Sequence, residues 1–244
     1  MKRIWERMLD RSYPCGTIVQ GYELLNVLGI GSYGITYLSQ DQRDGKLCVV
    51  KQVKPSKKNT KKGMQAYSSE TSLLQQLDHP SIPRFYQRFN FDGHFFFAME
   101  YMEGKNFEEL IFIEGREYSE RQALFILQQL LCIFDYLYQN GISHRDLRVP
   151  NVIMDENEEL KLIDFGLAKV MNDKDVKRDF QDIAHFLLFL LYSTYVPIQK
   201  KSKSWEEELR IHPITRRIIR RLFGLDTPYR DIRELSAELA SALE

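Results

Sequence analysis

The sequence predicts an α+β fold in two parts, a small strand-rich lobe followed by a mainly helical one. Three observations predict it. β-type segments crowd the first part of the chain, at 22–28, 35–40, 47–53 and 95–102, with glycines and charged residues at their turns. A long amphipathic pattern opens at Ser119 and stops at Asn140-Gly141, and further apolar runs of helical type follow it. With 244 residues the chain can bury a substantial core, enough for one large domain or two small lobes. Strands and helices segregated along a chain give an α+β protein.

Charge and cysteine content bound the function. Lysines plus arginines equal aspartates plus glutamates at 34 each, so no global field pulls the protein toward nucleic acid or an anionic membrane. Any such attraction is local. The three cysteines, Cys15, Cys48 and Cys132, are widely spaced and odd in number, which argues against a disulfide framework or a paired-cysteine metal site. Met1-Lys2-Arg3 is basic, but the charges of Glu6, Asp10 and Arg11 come soon after it, and no apolar signal-peptide core forms. The longest apolar run, Phe186 to Leu191 and loosely on to Ile198, is too short for a membrane span and has the length of a buried helix. A cytoplasmic protein is expected.

Along the chain, Ile4, Trp5, Met8 and Leu9 recur at helical spacing until Pro14 and Gly16, so residues 1–20 are expected as a short helical extension docked on the body. Between the first two strands lies Gly29-Ile30-Gly31-Ser32-Tyr33-Gly34-Ile35-Thr36. Glycines at these positions let a hairpin backbone approach phosphate oxygens, where a Cβ would obstruct and N–H groups can donate. A dinucleotide site would require a helix after the glycines, whereas here a strand follows. Lys51 sits inside the apolar run Cys48-Val49-Val50-Lys51, and a charge on a mostly buried strand needs a partner. Glu70, followed at helical spacing by Leu73, Leu74 and Leu77 before Asp78-His79-Pro80, is the candidate.

The helix opening at Ser119, with its capping serine, delivers the chain to His144-Arg145-Asp146-Leu147-Arg148-Val149-Pro150-Asn151. Val152-Ile153-Met154 and Leu160-Lys161-Leu162-Ile163 then lead to Asp164-Phe165-Gly166. Asp146 could accept a proton from an attacking hydroxyl. Asn151 and Asp164 offer the hard oxygen ligands that Mg²⁺ prefers when a nucleotide's phosphates also hold it.

In this order and context the chain resembles the eukaryotic-type serine/threonine protein kinase family, in a compact form of bacterial type with a shortened activation segment. The resemblance covers nearly all of the chain after residue 20. It implies a two-lobed protein kinase fold, with a small lobe over 21–102, a helical lobe over 103–244, and transfer of the γ-phosphoryl group of ATP to a hydroxyl of an unidentified protein substrate. Glycines 29, 31 and 34, with Ile30 and Ser32, would cover the phosphates, and Lys51 held by Glu70 would anchor them. Thr36, Val49 and Ile153 would line the base. Met99 would close the back of its pocket, and the backbone of Glu100 and Met102 would bond its edge. Asn151 and Asp164 would hold Mg²⁺, or Mn²⁺ in its place, Asp146 would orient and deprotonate the acceptor, and Arg148 would offset developing charge.

The chain departs from the family pattern in several places. From Gly166 it reaches Asp182 within a short span, without an Ala-Pro-Glu motif, and 167–181 contain no serine, threonine or tyrosine to accept a regulatory phosphate. By resemblance an aspartate such as Asp182 begins the buried helix beneath the catalytic loop and bonds that loop's backbone. Arg145, which in many relatives binds the regulatory phosphate, has Asp173, Asp175, Asp179 or solvent as partners. Arg230 resembles the arginine that pairs with the missing glutamate. Arg148 stands where serine/threonine kinases have lysine. Val49 replaces an alanine, and overpacking of that kind costs about 1 to 3 kcal/mol unless the pocket shifts. Two alternatives stay open, a small-molecule kinase on the same fold and a nucleotide-binding scaffold without turnover. Finally, Arg216, Arg217, Arg220 and Arg221 surround Ile218, Ile219 and Leu222 in an amphipathic helix. Its basic face over 216–221 leaves a local acidic, nucleic-acid or anionic-lipid partner open.

Overall fold

A computed structural model of the chain describes residues 10–196 and 203–243. The described chain forms two compact units whose boundary falls between Met102 and Glu103, with Phe165–Leu167 belonging to the first. The helix expected from Ile4, Trp5, Met8 and Leu9 lies outside the described residues, as does the end of the apolar run at Ile198.

Among the described residues the first unit is one antiparallel sheet with one long helix. Its strands are β1 (Ile18–Val19), β2 (Tyr22–Ile30), β3 (Gly34–Asp41), β4 (Leu47–Val53), β5 (Phe85–Phe91) and β6 (His94–Glu100), in the order β1-β2-β3-β4-β6-β5. Alternation of apolar residues gives the sheet two faces. One face packs Leu24, Ile35, Tyr37, Cys48, Val50, Phe96 and Ala98 into a core, all buried. The other carries Thr36, Leu38, Val49, Lys51, Phe97 and Met99 in register, Thr36 opposite Lys51 opposite Phe97, and Leu38 opposite Val49 opposite Met99.

Helix α1 (Lys61–Leu74) starts where Thr60 accepts a hydrogen bond from the Gly63 N–H. Asp10 anchors the chain before β1 to the turn leading into α1, accepting from the Ser56 backbone N–H at 2.9 Å and its hydroxyl at 2.8 Å. The Tyr13 N–H donates to the Tyr37 hydroxyl, which donates in turn to Gln52.

The second unit is mainly helical. After β7 (Lys105–Asn106) come α2 (Phe107–Phe112) and α3 (Glu120–Gln139), then β8 (Ile142–Ser143), a 3-10 turn at Val149–Asn151, β9 (Val152–Met154), β10 (Leu160–Leu162) and β11 (Lys169–Val170). Helices α4 (Asp173–Tyr192), α5 (Trp205–Glu208), α6 (Pro213–Phe223) and α7 (Ile232–Leu243) complete it. The expected cap of α3 forms: Ser119 and Gln122 make a capping box, and Gly141 follows the helix at φ +68°. Gly104, at φ +129°, lets the chain cross β9, because a Cβ there would come within 2.5 Å of the Met154 carbonyl oxygen and 2.6 Å of the Ile153 side chain. The apolar stripes of α3 and α4, including Leu127, Leu130, Phe134, Ile183, Leu187 and Leu190, form the buried centre of this unit. Among the described residues no helix is long and apolar enough to cross a membrane.

Candidate active site

In the first unit the glycine-rich turn joins β2 to β3, with Gly29 and Ile30 at the end of β2, Gly31 and Ser32 in the turn, and Gly34 opening β3. The Gly31 N–H closes the turn onto the Gly34 carbonyl at 2.9 Å. A Cβ at Gly29 would meet no protein atom within 4 Å, and one at Gly31 only the Gly34 carbonyl oxygen at 3.8 Å. Protein packing therefore does not call for glycine at 29 and 31. The space beside both positions is open, and a Cβ would occupy it.

Lys51 lies in the middle of β4, and its Nζ donates to Glu70 Oε1 of α1 at 2.6 Å. The two side chains are only 16% and 6% exposed, so each is the other's answer to burial. Val49 and Met99 are cross-strand neighbours, each 7% exposed. The Glu100 N–H donates to the Arg84 carbonyl at 2.8 Å. Met102 closes this unit at its boundary and is buried.

In the second unit, β8 leads into the loop that carries Asp146 and the 3-10 turn leads out of it. Asn151, in that turn, donates from Nδ2 to the Asp146 carbonyl at 2.8 Å, which fixes its carboxamide with Oδ1 as the opposite, acceptor end. The hairpin of β9 and β10 extends to a bond from the Ile163 N–H to the Asn151 carbonyl at 2.9 Å, so Asn151 stands beside the residue that precedes Asp164. Ile153 is buried in β9. Asp164 has a left-handed backbone at φ +62° and Arg145 one at φ +67°, conformations that residues other than glycine adopt only when their surroundings hold them.

Asp179 does the holding at Arg145. It is fully buried on α4, and accepts from the His144 N–H at 3.1 Å and the Arg145 N–H at 2.6 Å, with the Tyr138 hydroxyl a third donor at 3.3 Å. Burial pushes the Asp179 carboxyl up to about 6 against the downward pull of these bonds. Burial, and then the Asp179 charge, raise the Tyr138 hydroxyl. Burial lowers His144 to about 4, so its ring is neutral at ordinary pH.

The role expected of Asp182 is corrected by this geometry. Helix α4 begins at Asp173, more than two turns before Asp182, and the turn facing the catalytic loop is the one that carries Asp179. Asp182 lies three residues on and pairs weakly with Arg178 at 3.8 Å. Of the partners open to Arg145, its side chain takes Asp175, with Nε 2.8 Å from Oδ1. Arg230 has Glu234, four residues along the chain, at 3.2 Å.

Arg148 lies against Asp146, with Nε 3.1 Å from Oδ1 and Nη2 3.1 Å from Oδ2, and its side chain is 63% exposed. Three of the four arginines of α6 have carboxylate partners: Arg217 pairs with Glu238, Arg220 with Glu206 and Asp226, and Arg221 with Glu234 and Glu238.

Among the described residues no group of three or more His, Cys, Asp or Glu could hold a metal alone. Asn151 and Asp164 suit a cation that takes one or two protein oxygens and completes its shell from phosphates and water, as Mg²⁺ does.

Comparison with known proteins bears on the same residues. A family model described as the protein kinase domain matches residues 22–187, from the start of β2 to within α4. The chain belongs to the protein kinase family. It is 34% identical to the probable serine/threonine-protein kinase YbdM of Bacillus subtilis, over all of this chain and 98% of that protein. It is 34% identical to serine/threonine-protein kinase D of Synechocystis over 62% of this chain and 31% of that one, and 33% identical to human serine/threonine-protein kinase Nek11 over 72% and 28%. The chain thus spans nearly the whole of the Bacillus kinase but under a third of the other two. Its kinase fold is the α+β, two-part fold read from the sequence.

Proposed function

We propose that the protein is a serine/threonine protein kinase that transfers the γ-phosphoryl group of Mg-ATP to a hydroxyl of another protein. The observation that carries this reading is the catalytic loop as Asp179 and Asn151 hold it, with Asp146 between their attachments. The names of the similar proteins support serine and threonine as acceptors. Mg-ATP supplies the activated phosphoryl group and the cation that shields its charge.

The chain's own groups do the rest. The glycine-rich turn, with Gly29, Ile30, Gly31, Ser32 and Gly34, covers the phosphates. Lys51, kept in place by Glu70, anchors them. Asn151 and Asp164 hold the cation, for which Mn²⁺ is an acceptable substitute. Thr36, Val49, Met99, Ile153 and the backbone of Glu100 and Met102 receive the base. Asp146 releases Arg148, orients the acceptor hydroxyl and takes its proton. Arg148, once released, meets the charge that develops on the transferring group. The small lobe is assigned to 21–102, with 1–20 as an extension, and the helical lobe to 103–244. A reducing compartment such as the cytoplasm suits the free thiols of Cys15, Cys48 and Cys132.

The test is to incubate the purified protein with labelled Mg-ATP, casein and a metabolite extract, beside an Asp146→Asn variant. Label should appear on protein, and the variant should lose roughly 10² to 10⁴-fold in rate while nucleotide still raises its Tm. Label on small molecules alone would assign the chain to metabolite kinases. Nucleotide binding with no transfer at all would make it a scaffold.

A further inference from the structure

Helix α4 presents two carboxylates one turn apart, Asp175 and Asp179, and both close on the residue before Asp146. Asp179 takes the backbone, through the His144 and Arg145 N–H groups. Asp175 takes the Arg145 side chain, in an ion-pair contact of 2.8 Å that is not aligned as a hydrogen bond. The pair is sheltered, with Arg145 19% and Asp175 14% exposed, so its attraction is less screened than that of a surface pair. Asp175 is itself fixed: Asn172 caps α4, accepts from the Asp175 N–H at 3.2 Å and donates from Nδ2 to Asp175 Oδ2. Arg178, a cation on the same helix, turns instead to Asp182 at 3.8 Å.

We propose that Asp175 is a positioning residue that, through Arg145, fixes the catalytic loop in the conformation that aims Asp146. The inference rests on the kinase reading and adds how its site is regulated. Residues 167–181 offer no serine, threonine or tyrosine hydroxyl. A phosphate added to such a segment orders it by pairing with arginines. In this chain the group that faces the Arg145 side chain is a carboxylate mounted on helix α4 and already in contact. The loop is set as the chain folds, and its activity awaits no modification of 167–181.

The test compares wild type, Asp175→Asn, Asp175→Glu, Arg145→Gln and the double variant Asp175→Asn/Arg145→Gln. It measures kcat and ATP KM with casein, Tm, and hydrogen exchange of the 142–150 peptide. Asp175→Asn should lower kcat roughly 10 to 100-fold, the scale on which small misplacements act, with ATP KM unchanged to within about twofold. Asp175→Glu should recover much of that loss. The double variant should be no slower than the worse single one, because both cut the same link. Exchange at 144 and 145 should quicken in Asp175→Asn, and phosphatase treatment should leave wild type unaffected. Wild-type kcat in Asp175→Asn, multiplying losses in the double variant, or inactivation by phosphatase would each overturn the proposal. If Asp175→Asn unfolds, Asp175→Glu and Arg145→Gln carry the same comparison. If wild type transfers nothing to casein, the kinase reading fails separately, and unchanged exchange in Asp175→Asn then overturns the clamp.

Discussion

Lys51 and Glu70 meet at 2.6 Å with side chains 16% and 6% exposed, whereas Arg148 and Asp146 meet at 3.1 Å with 63% of the Arg148 side chain in solvent. Both pairs contain a group that the proposed chemistry uses, and they differ in how far solvent reaches them. A sealed pair cannot be opened without stranding a charge away from water, so it suits a group that stays in one place through the cycle. An open pair gains little from its attraction and is readily exchanged for water or substrate. That suits the proton acceptor proposed at Asp146, which in that reading leaves Arg148 to receive a hydroxyl.

Removing one member of each pair should separate the two designs. Glu70→Ala leaves Lys51 buried without its carboxylate, which should cost about 3 to 5 kcal/mol of folding stability, read by chemical denaturation, together with a large loss of phosphoryl transfer. Arg148→Ala should leave the denaturation midpoint unchanged and lower kcat by roughly 10²-fold, since only a charge-stabilising group has gone. Equal stability losses in the two variants would mean that the exposure difference carries no energetic weight. A stable Glu70→Ala protein would mean that Lys51 is solvated by some other route.

Much of this contrast was legible in the sequence, and its gaps have physical causes. Lys51 in an apolar run and Glu70 on the next amphipathic helix announced a buried pair because burial of charge demands one. The strands read as 22–28, 35–40 and 47–53 appear as β2, β3 and β4, since alternation and turn residues are local signals. Asp179 was missed as the holder of the catalytic loop. Asp173, Asp175, Asp179 and Asp182 are chemically alike, and the choice among them depends on where α4 starts and which of its faces turns inward. The signal available was the cap: Asn172 before Asp173 would have started the helix early and put Asp175 and Asp179 on one face. The ion pairs of the α6 arginines were not legible for a related reason. Their carboxylate partners, Glu206, Asp226, Glu234 and Glu238, lie on other elements or beyond a turn, where no local pattern connects them.

Asp179 sharpens the comparison from a third side, being as sealed as Glu70 but hydrogen-bonded to neutral donors in place of an ammonium. Burial therefore dominates and lifts its carboxyl from 3.8 to about 6. Between those values the folded protein holds a proton that the unfolded chain has released. The contribution of Asp179 to stability is then greatest below about pH 4 and falls as pH rises through about 6, by at most about 3 kcal/mol. Asp179→Asn removes this slope, because the amide does not titrate. The deficit in stability of the variant relative to wild type should accordingly shrink from pH 4 to pH 7, in denaturation curves taken at constant ionic strength. A deficit that grows over that interval would mean that the two backbone N–H groups and the Tyr138 hydroxyl outweigh burial. Asp179 would then be sealed as securely as Glu70 without any cation.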